Sequence, residues 1–129
     1  MALIEIRNFK KSFGNKLVHS DVTFYVKKGE CLGLVGGSGA GKSVILRSLI
    51  GLEKPDSGII EIDGVDITKL NENELISVRK KVAYAFQGGA LFDSQSVYDN
   101  LAYPLREHTK LSEASIRTKI VAQLTEFGL

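Results

Sequence analysis

Eight residues narrow what this chain can fold into more than any others: Gly36-Gly37-Ser38-Gly39-Ala40-Gly41-Lys42-Ser43. They fit G-x-x-x-x-G-K-[ST], a pattern with physical meaning only between a strand and a helix. Both neighbours are legible. Cys31-Leu32-Gly33-Leu34-Val35 is a short apolar run that reads as a buried strand, and Ser43 to Ile50 carries apolar residues at helical spacing. Glycines let such a loop take positive φ angles and bring its backbone close to a ligand. Successive N–H groups then converge as an anion nest, to which the helix N-terminus adds roughly half a positive charge. A polyphosphate suits that nest: Lys42 would reach β- and γ-phosphates, and the Ser43 hydroxyl would ligate Mg²⁺. The plain alternative is a glycine-rich turn before a helix, with an incidental lysine.

At 129 residues the chain fits one domain, long enough to bury about two-thirds of its unfolded surface. The formal net charge of +2 gives no reason to expect nucleic acid or an acidic partner. Cys31 is the single cysteine, so there is no disulfide framework, and it reads as a packed core thiol in a reducing compartment. The opening Met1-Ala2-Leu3-Ile4-Glu5-Ile6 lacks the basic start and long apolar run of a secretion signal. No apolar run approaches the ~20 residues of a membrane span. Any membrane role is expected to act through another subunit.

Taken in order, Leu3 to Arg7 alternates as a half-buried strand does, Lys10 to Lys16 reads as a polar turn, and Val22 to Val26 is a second strand. Lys54-Pro55-Asp56-Ser57-Gly58 is strong turn chemistry, followed by a strand from Ile59 that ends in a turn at Asp63-Gly64. Asn71 with Glu74 marks the start of a short helix running to about Arg79. Lys81 to Phe86 is predicted as the next strand, with Gln87-Gly88-Gly89 as its exit. A short helix from Ser96 is expected to stop at Pro104, and Ser112 to cap a last helix from Glu113 to about Phe127. The pattern predicts a mixed α/β core with an antiparallel flap.

At this point the sequence resembles the ATP-binding cassette (ABC) ATPases along its whole length. The resemblance is carried by Lys11-Ser12-Phe13-Gly14, Val26-Lys27-Lys28-Gly29-Glu30, the glycine loop and Lys54-Pro55-Asp56-Ser57-Gly58. It continues through Ile62-Asp63-Gly64, Val78-Arg79-Lys80-Lys81-Val82 and Phe86-Gln87. Several ordered motifs are far more specific than the loop alone. Within that family, Gly89 to Ser94 and Val97 to Glu107 look like the MlaF-type ATPases, which energise phospholipid transport in Gram-negative bacteria and related lipid-uptake systems. The resemblance implies an incomplete phosphate-loop NTPase (RecA-like) α/β core with an antiparallel β subdomain. The flap and loop core would occupy about 1–87, and a coupling groove with the start of a helical subdomain about 88–129.

It also implies roles. The Gly36 to Val44 segment would hold the phosphates of ATP, and Phe13 matches the aromatic on which adenine stacks. Base stacking there would be worth about 1–3 kcal/mol. Alternatively, Phe13 is a hairpin aromatic tucked onto the sheet. Gln87 matches the glutamine that touches Mg²⁺ and the attacking water, although by pattern alone it is equally a solvated turn residue. The stretch from Gly88 to Pro104 would receive a coupling helix from a membrane permease. Its aromatics Phe92, Tyr98 and Tyr103 suit an interface, or are simply local core. A second ATPase subunit would complete a homodimer, on the inner face of the bacterial cytoplasmic membrane.

Departures from the family pattern are as informative. Val44 stands where the family usually places a second hydroxyl. The Leu-Ser-Gly-Gly-Gln-like signature, the acidic strand end with its catalytic Glu, and the switch His have no counterpart. Ile59 to Asp63 imitates an acidic strand end, but Glu61 interrupts the apolar run and the segment belongs with the flap. His19 and His108 read as surface imidazoles. A GTPase would carry Asn-Lys-x-Asp, whereas Asn15-Lys16-Leu17-Val18 lacks the Asp and lies upstream of the loop. The expectation is therefore the N-terminal half of an ABC ATPase, a fragment or a truncated product, that binds Mg-ATP without useful hydrolysis. The alternatives are a non-catalytic nucleotide-binding module, a soluble non-transport ABC protein, or another phosphate-loop enzyme.

Overall fold

A computed structural model describes residues 1–129, which divide into two compact units, Met1–Tyr84 and Ala85–Leu129. The first is built on a four-stranded antiparallel sheet in the order β2-β1-β3-β4. Strands β1 (Ala2–Phe13) and β2 (Lys16–Lys27) form a long hairpin around Gly14-Asn15. The polar residues from Lys10 to Phe13, expected in a turn, instead lie in β1. They find partners on the 53–56 segment: the Lys11 ammonium donates to the Lys54 carbonyl at 2.7 Å, and the Ser12 backbone amide to the Asp56 carboxylate at 2.7 Å. β3 (Ser57–Ile62) pairs with β1 and turns through Asp63 and Gly64, both at positive φ, into the short β4 (Val65–Asp66). The flap expected of Ile59 to Asp63 is thus present, with Glu61 accepting from Arg7 across the strands at 2.9 Å.

Two α-helices, α1 (Lys42–Leu49) and α2 (Glu72–Arg79), and a 3-10 turn at Ile67–Lys69 complete this unit. Asn71 and Glu74 cap α2 reciprocally: the Glu74 amide donates to the Asn71 side chain at 3.0 Å, and the Asn71 amide to the Glu74 carboxylate at 2.8 Å. Inward residues of the sheet (Ile6, Phe9, Ile60, Ile62) share one core with Ile45 of α1 and with Leu75 and Val78 of α2. The helix carrying Lys42 is therefore fixed by its apolar underside.

The strands expected at Cys31–Val35 and Lys81–Phe86 do not form. Leu34 and Val82 pack against the core, while Leu32, Val35 and Phe86 are exposed. A strand needs a hydrogen-bonding neighbour as well as suitable side chains, and neither segment pairs into a ladder within residues 1–129. Cys31, expected as a packed thiol, is exposed for the same reason.

The second unit carries α3 (Val97–His108) and α4 (Glu113–Glu126), capped by Ser96 and Ser112. Pro104 does not end α3, which continues through it to His108. Proline forfeits one helical hydrogen bond, but Ala102 packs against Ile116 and Ile120. Beyond the proline, Arg106 binds Asp99 at 3.2 Å and Glu113 at 2.8 Å. Those contacts hold both sides of the break in one helix.

The same cluster carries a pH dependence. The Ser96 hydroxyl first, and Arg106 second, hold the Asp99 carboxyl below its ordinary value, and Arg106 does the same for Glu113. Carboxyls depressed in the folded state add stability above their unfolded values and lose it as pH falls through the folded ones. Arg106→Ala is therefore expected to lower amide-exchange protection of α3 and α4 near neutral pH. The loss should shrink once both carboxyls are protonated, to what the Arg106 guanidinium contributes over the Tyr98 ring 5.9 Å away. The effect should be small, because these pairs are exposed.

Candidate functional site

The loop expected from the sequence sits at the head of α1. Gly39 and Gly41 take φ of 79° and 85°, the left-handed region where glycine alone is unstrained. Between them the Ala40 amide donates to the Gly37 carbonyl at 3.1 Å, closing a tight turn. Gly36 is close-packed as well: a Cβ there would meet the Cβ of Ala40 at 3.0 Å. Gly41 is the N-cap of α1, and its carbonyl accepts the first helical bond from the Ile45 amide at 3.3 Å. The early amides of α1 thus open toward the loop with the positive end of the helix behind them.

Lys42 turns back over this curve, its ammonium donating to the carbonyls of Gly36 and Gly37, the latter at 2.8 Å. Ser43 is exposed beside it. Val44 packs against the core and offers the site only its backbone. Below, the buried Ser48 hydroxyl is satisfied by the Val44 carbonyl at 2.7 Å. The arrangement is a tight glycine turn at a helix head, carrying one ammonium and, next to it in the chain, one hydroxyl. Those are the groups that hold a polyphosphate and a share of a hard cation.

Phe13 ends β1 and is part-exposed at 44 %, with the Lys11 ammonium 5.0 Å above its ring. It is not tucked onto the sheet. His19, opposite Lys11 in the ladder, reaches the glycine loop, its Nε2 lying 2.8 Å from the Gly41 carbonyl. Two residues of strand separate that register position from Phe13, roughly 7 Å, so one hairpin carries the aromatic and touches the loop. His19 was expected at the surface. It is instead half-buried, its ring edge-on to the fully buried Phe9 at 5.7 Å. No periodicity in the sequence betrays that contact, because Val18 and His19 meet a loop more than twenty positions away.

Gln87 lies in the second unit, in an exposed turn where the Gly89 amide donates to the Phe86 carbonyl at 3.0 Å. Asn100 fastens the following loop to α3, accepting from the Phe92 amide at 2.8 Å and donating to the Phe92 carbonyl at 3.0 Å. Phe92 and Tyr103 stack edge to face at 5.4 Å and stay exposed with Leu91 and Val97. Tyr98 packs against the helical cluster and is local core. His108 is exposed at the end of α3, as expected.

A family model described as ABC transporter matches residues 19–128. The chain belongs to the ABC transporter family. It is 48% identical over 126 residues to the "Probable ribonucleotide transport ATP-binding protein mkl" of Mycobacterium leprae, covering 98% of this chain and 36% of that protein. It is 40% identical over 127 residues to the "Intermembrane phospholipid transport system ATP-binding protein MlaF" of Haemophilus influenzae, covering 98% and 48%. The chain thus spans about half the length, or less, of these relatives. Among solved structures, the dimeric ABC transporter cassette MJ0796 matches with a TM-score of 0.85 at 27% identity, over 95% of this chain and 56% of that one. The same cassette in a post-hydrolysis state bound to ADP and Pi matches at 0.84 and 26%. These likenesses place the antiparallel sheet and loop in an ABC-type phosphate-loop fold. No helix here is long and apolar enough to cross a membrane.

Proposed function

We propose that this chain is the nucleotide-binding portion of an ABC transporter ATPase and binds Mg-ATP at the glycine loop. The observation that carries the reading is the paired positive φ of Gly39 and Gly41, with the Lys42 ammonium drawn into the curve they make. Gly36 to Val44 take the phosphates, Ser43 ligates Mg²⁺, and Phe13 takes the base. Lys42 acts on the γ-phosphate. Residues 1–129 bind without steady turnover, because their sequence has no counterpart of the signature, the catalytic Glu or the switch His.

The exposed Leu91, Phe92, Val97 and Tyr103 support Gly88 to Pro104 as the seat of a permease coupling helix. A second ATPase subunit, by likeness to the dimeric MJ0796 cassette, completes the assembly on the cytoplasmic face of a bacterial membrane. A phospholipid is the cargo, supported by likeness to MlaF. The greater identity to the mycobacterial mkl favours a ribonucleotide as the second reading.

Calorimetric titration with Mg-ATP and a phosphate-release assay on the same sample test the first claim. Saturable binding without sustained release is expected. Absence of binding overturns the site, and steady release overturns the claim that this chain does not turn over.

A further inference from the structure

We propose that His19 is a positioning residue of the glycine loop: its Nε2–H holds the Gly41–Lys42 peptide plane so that the Lys42 amide faces a bound phosphate. The proposal rests on the reading of the loop as a nucleotide site and adds a residue to it from outside the motif.

Gly41 has no side chain with which to brace the junction between loop and helix, and α1 receives no side-chain cap there. The restraint comes from β2. The Gly41 carbonyl accepts from the His19 ring at 2.8 Å and from the Ile45 amide at 3.3 Å, which uses both of its lone pairs. A trans peptide is planar, with its C=O and the following N–H pointing in opposite directions. Fixing the Gly41 oxygen on its far side therefore fixes the direction of the Lys42 N–H. A carbonyl only accepts, so Nε2 must carry the hydrogen. That assignment is a definite statement about the tautomer.

The ring has little freedom to leave. It stands edge-on to Phe9 at 5.7 Å and 64°, and Phe9 is fully buried. On the other side the contact is close: a Cβ on Gly41 would lie 2.5 Å from Nε2 and 2.4 Å from Cγ1 of Val18. Glycine at this position thus serves two needs, a positive φ and the approach of the hairpin. The bond spans 22 positions of sequence and joins the strand that follows Phe13 to the first turn of α1. Loss of His19 is expected to leave the loop in place and blur the aim of its amides.

Three variants and one spectrum test this. Long-range ¹H–¹⁵N correlation on the wild-type chain, with the ring neutral, is expected to show His19 protonated at Nε2; protonation at Nδ1 overturns the proposal whatever the variants do. His19→Phe keeps the edge contact with Phe9 and removes the donor. It should weaken Mg-ATP binding about five- to tenfold, the worth of one net hydrogen bond. His19→Gln, which restores an N–H, should recover most of that loss. Equal losses in both variants, matched by equal falls in the thermal midpoint without nucleotide, would assign His19 to packing and overturn its role. Lys42→Ala separates the two readings. If it binds ATP as the wild type does, the nucleotide site itself is wrong and this proposal falls with it. If it fails to bind while His19→Phe binds normally, the role of His19 alone is overturned.

Discussion

Lys42→Ala is expected to abolish the thermal stabilisation that ATP with Mg²⁺ gives the wild-type chain. With nucleotide near 100 times its dissociation constant, wild type should gain about 2.7 kcal/mol, roughly 10 °C in midpoint for a chain of this size. The expectation follows from where the ammonium lies. It already donates to the Gly36 and Gly37 carbonyls inside the loop. A polyphosphate offers charged oxygens in place of those neutral acceptors, and charge-assisted hydrogen bonds are about twice as strong. Alanine removes the loop's cationic side chain and leaves the helix head, whose dipole is worth about 0.3–1 kcal/mol to a nearby charge. Differential scanning with and without Mg-ATP reads the effect directly. A variant that keeps the wild-type shift would mean the nucleotide binds elsewhere.

Gly58→Ala is expected to be the most damaging small change in the sheet. Gly58 has a φ of 100° and faces an irregularity in β1, where the register slips between Arg7 and Lys10. Asn8 is itself at positive φ there, held by its amide on the Thr23 hydroxyl at 2.9 Å and its side chain on Asp21 at 3.0 Å. The bulge turns two main-chain oxygens toward Gly58. A Cβ would meet the Asn8 oxygen at 2.5 Å and the Arg7 oxygen at 2.7 Å. Neither oxygen can rotate away as a side chain could. Backbone strain of about 1–3 kcal/mol and overpacking of about 1–3 kcal/mol add, so the midpoint should fall by about 10 °C or more. Gly33→Ala is the control, since its Cβ would meet nothing within 4 Å. A Gly58→Ala midpoint within about 2 °C of wild type would show that the bulge yields cheaply.

Both predictions concern glycines or their neighbours, and that is where sequence and structure divide most clearly. The glycine loop is legible because its requirements are local. Positive φ at Gly39 and Gly41, a helix starting at Lys42 and a hydroxyl next to it are set within eight positions. The reciprocal cap of Asn71 and Glu74 and the serine caps of α3 and α4 are legible for the same reason. Each is made by residues three positions apart.

What failed depended on distant partners. Apolar character in Cys31–Val35 and Lys81–Phe86 records fitness for a strand, but a strand needs a ladder, and neither segment joins one within residues 1–129. Pro104 marks a local preference to stop a helix. Packing of Ala102 on Ile116 and Ile120, with Arg106 bridging Asp99 and Glu113, overrides it. His19 has no signal of its own, being one polar residue in an amphipathic strand until folding brings Gly41 against its ring. The sequence by itself determined a glycine loop at a helix head, its lysine, and the family to which they belong. Only the tertiary structure decided which strands pair and which outside residue reaches the loop, because those outcomes rest on contacts between positions far apart in the chain.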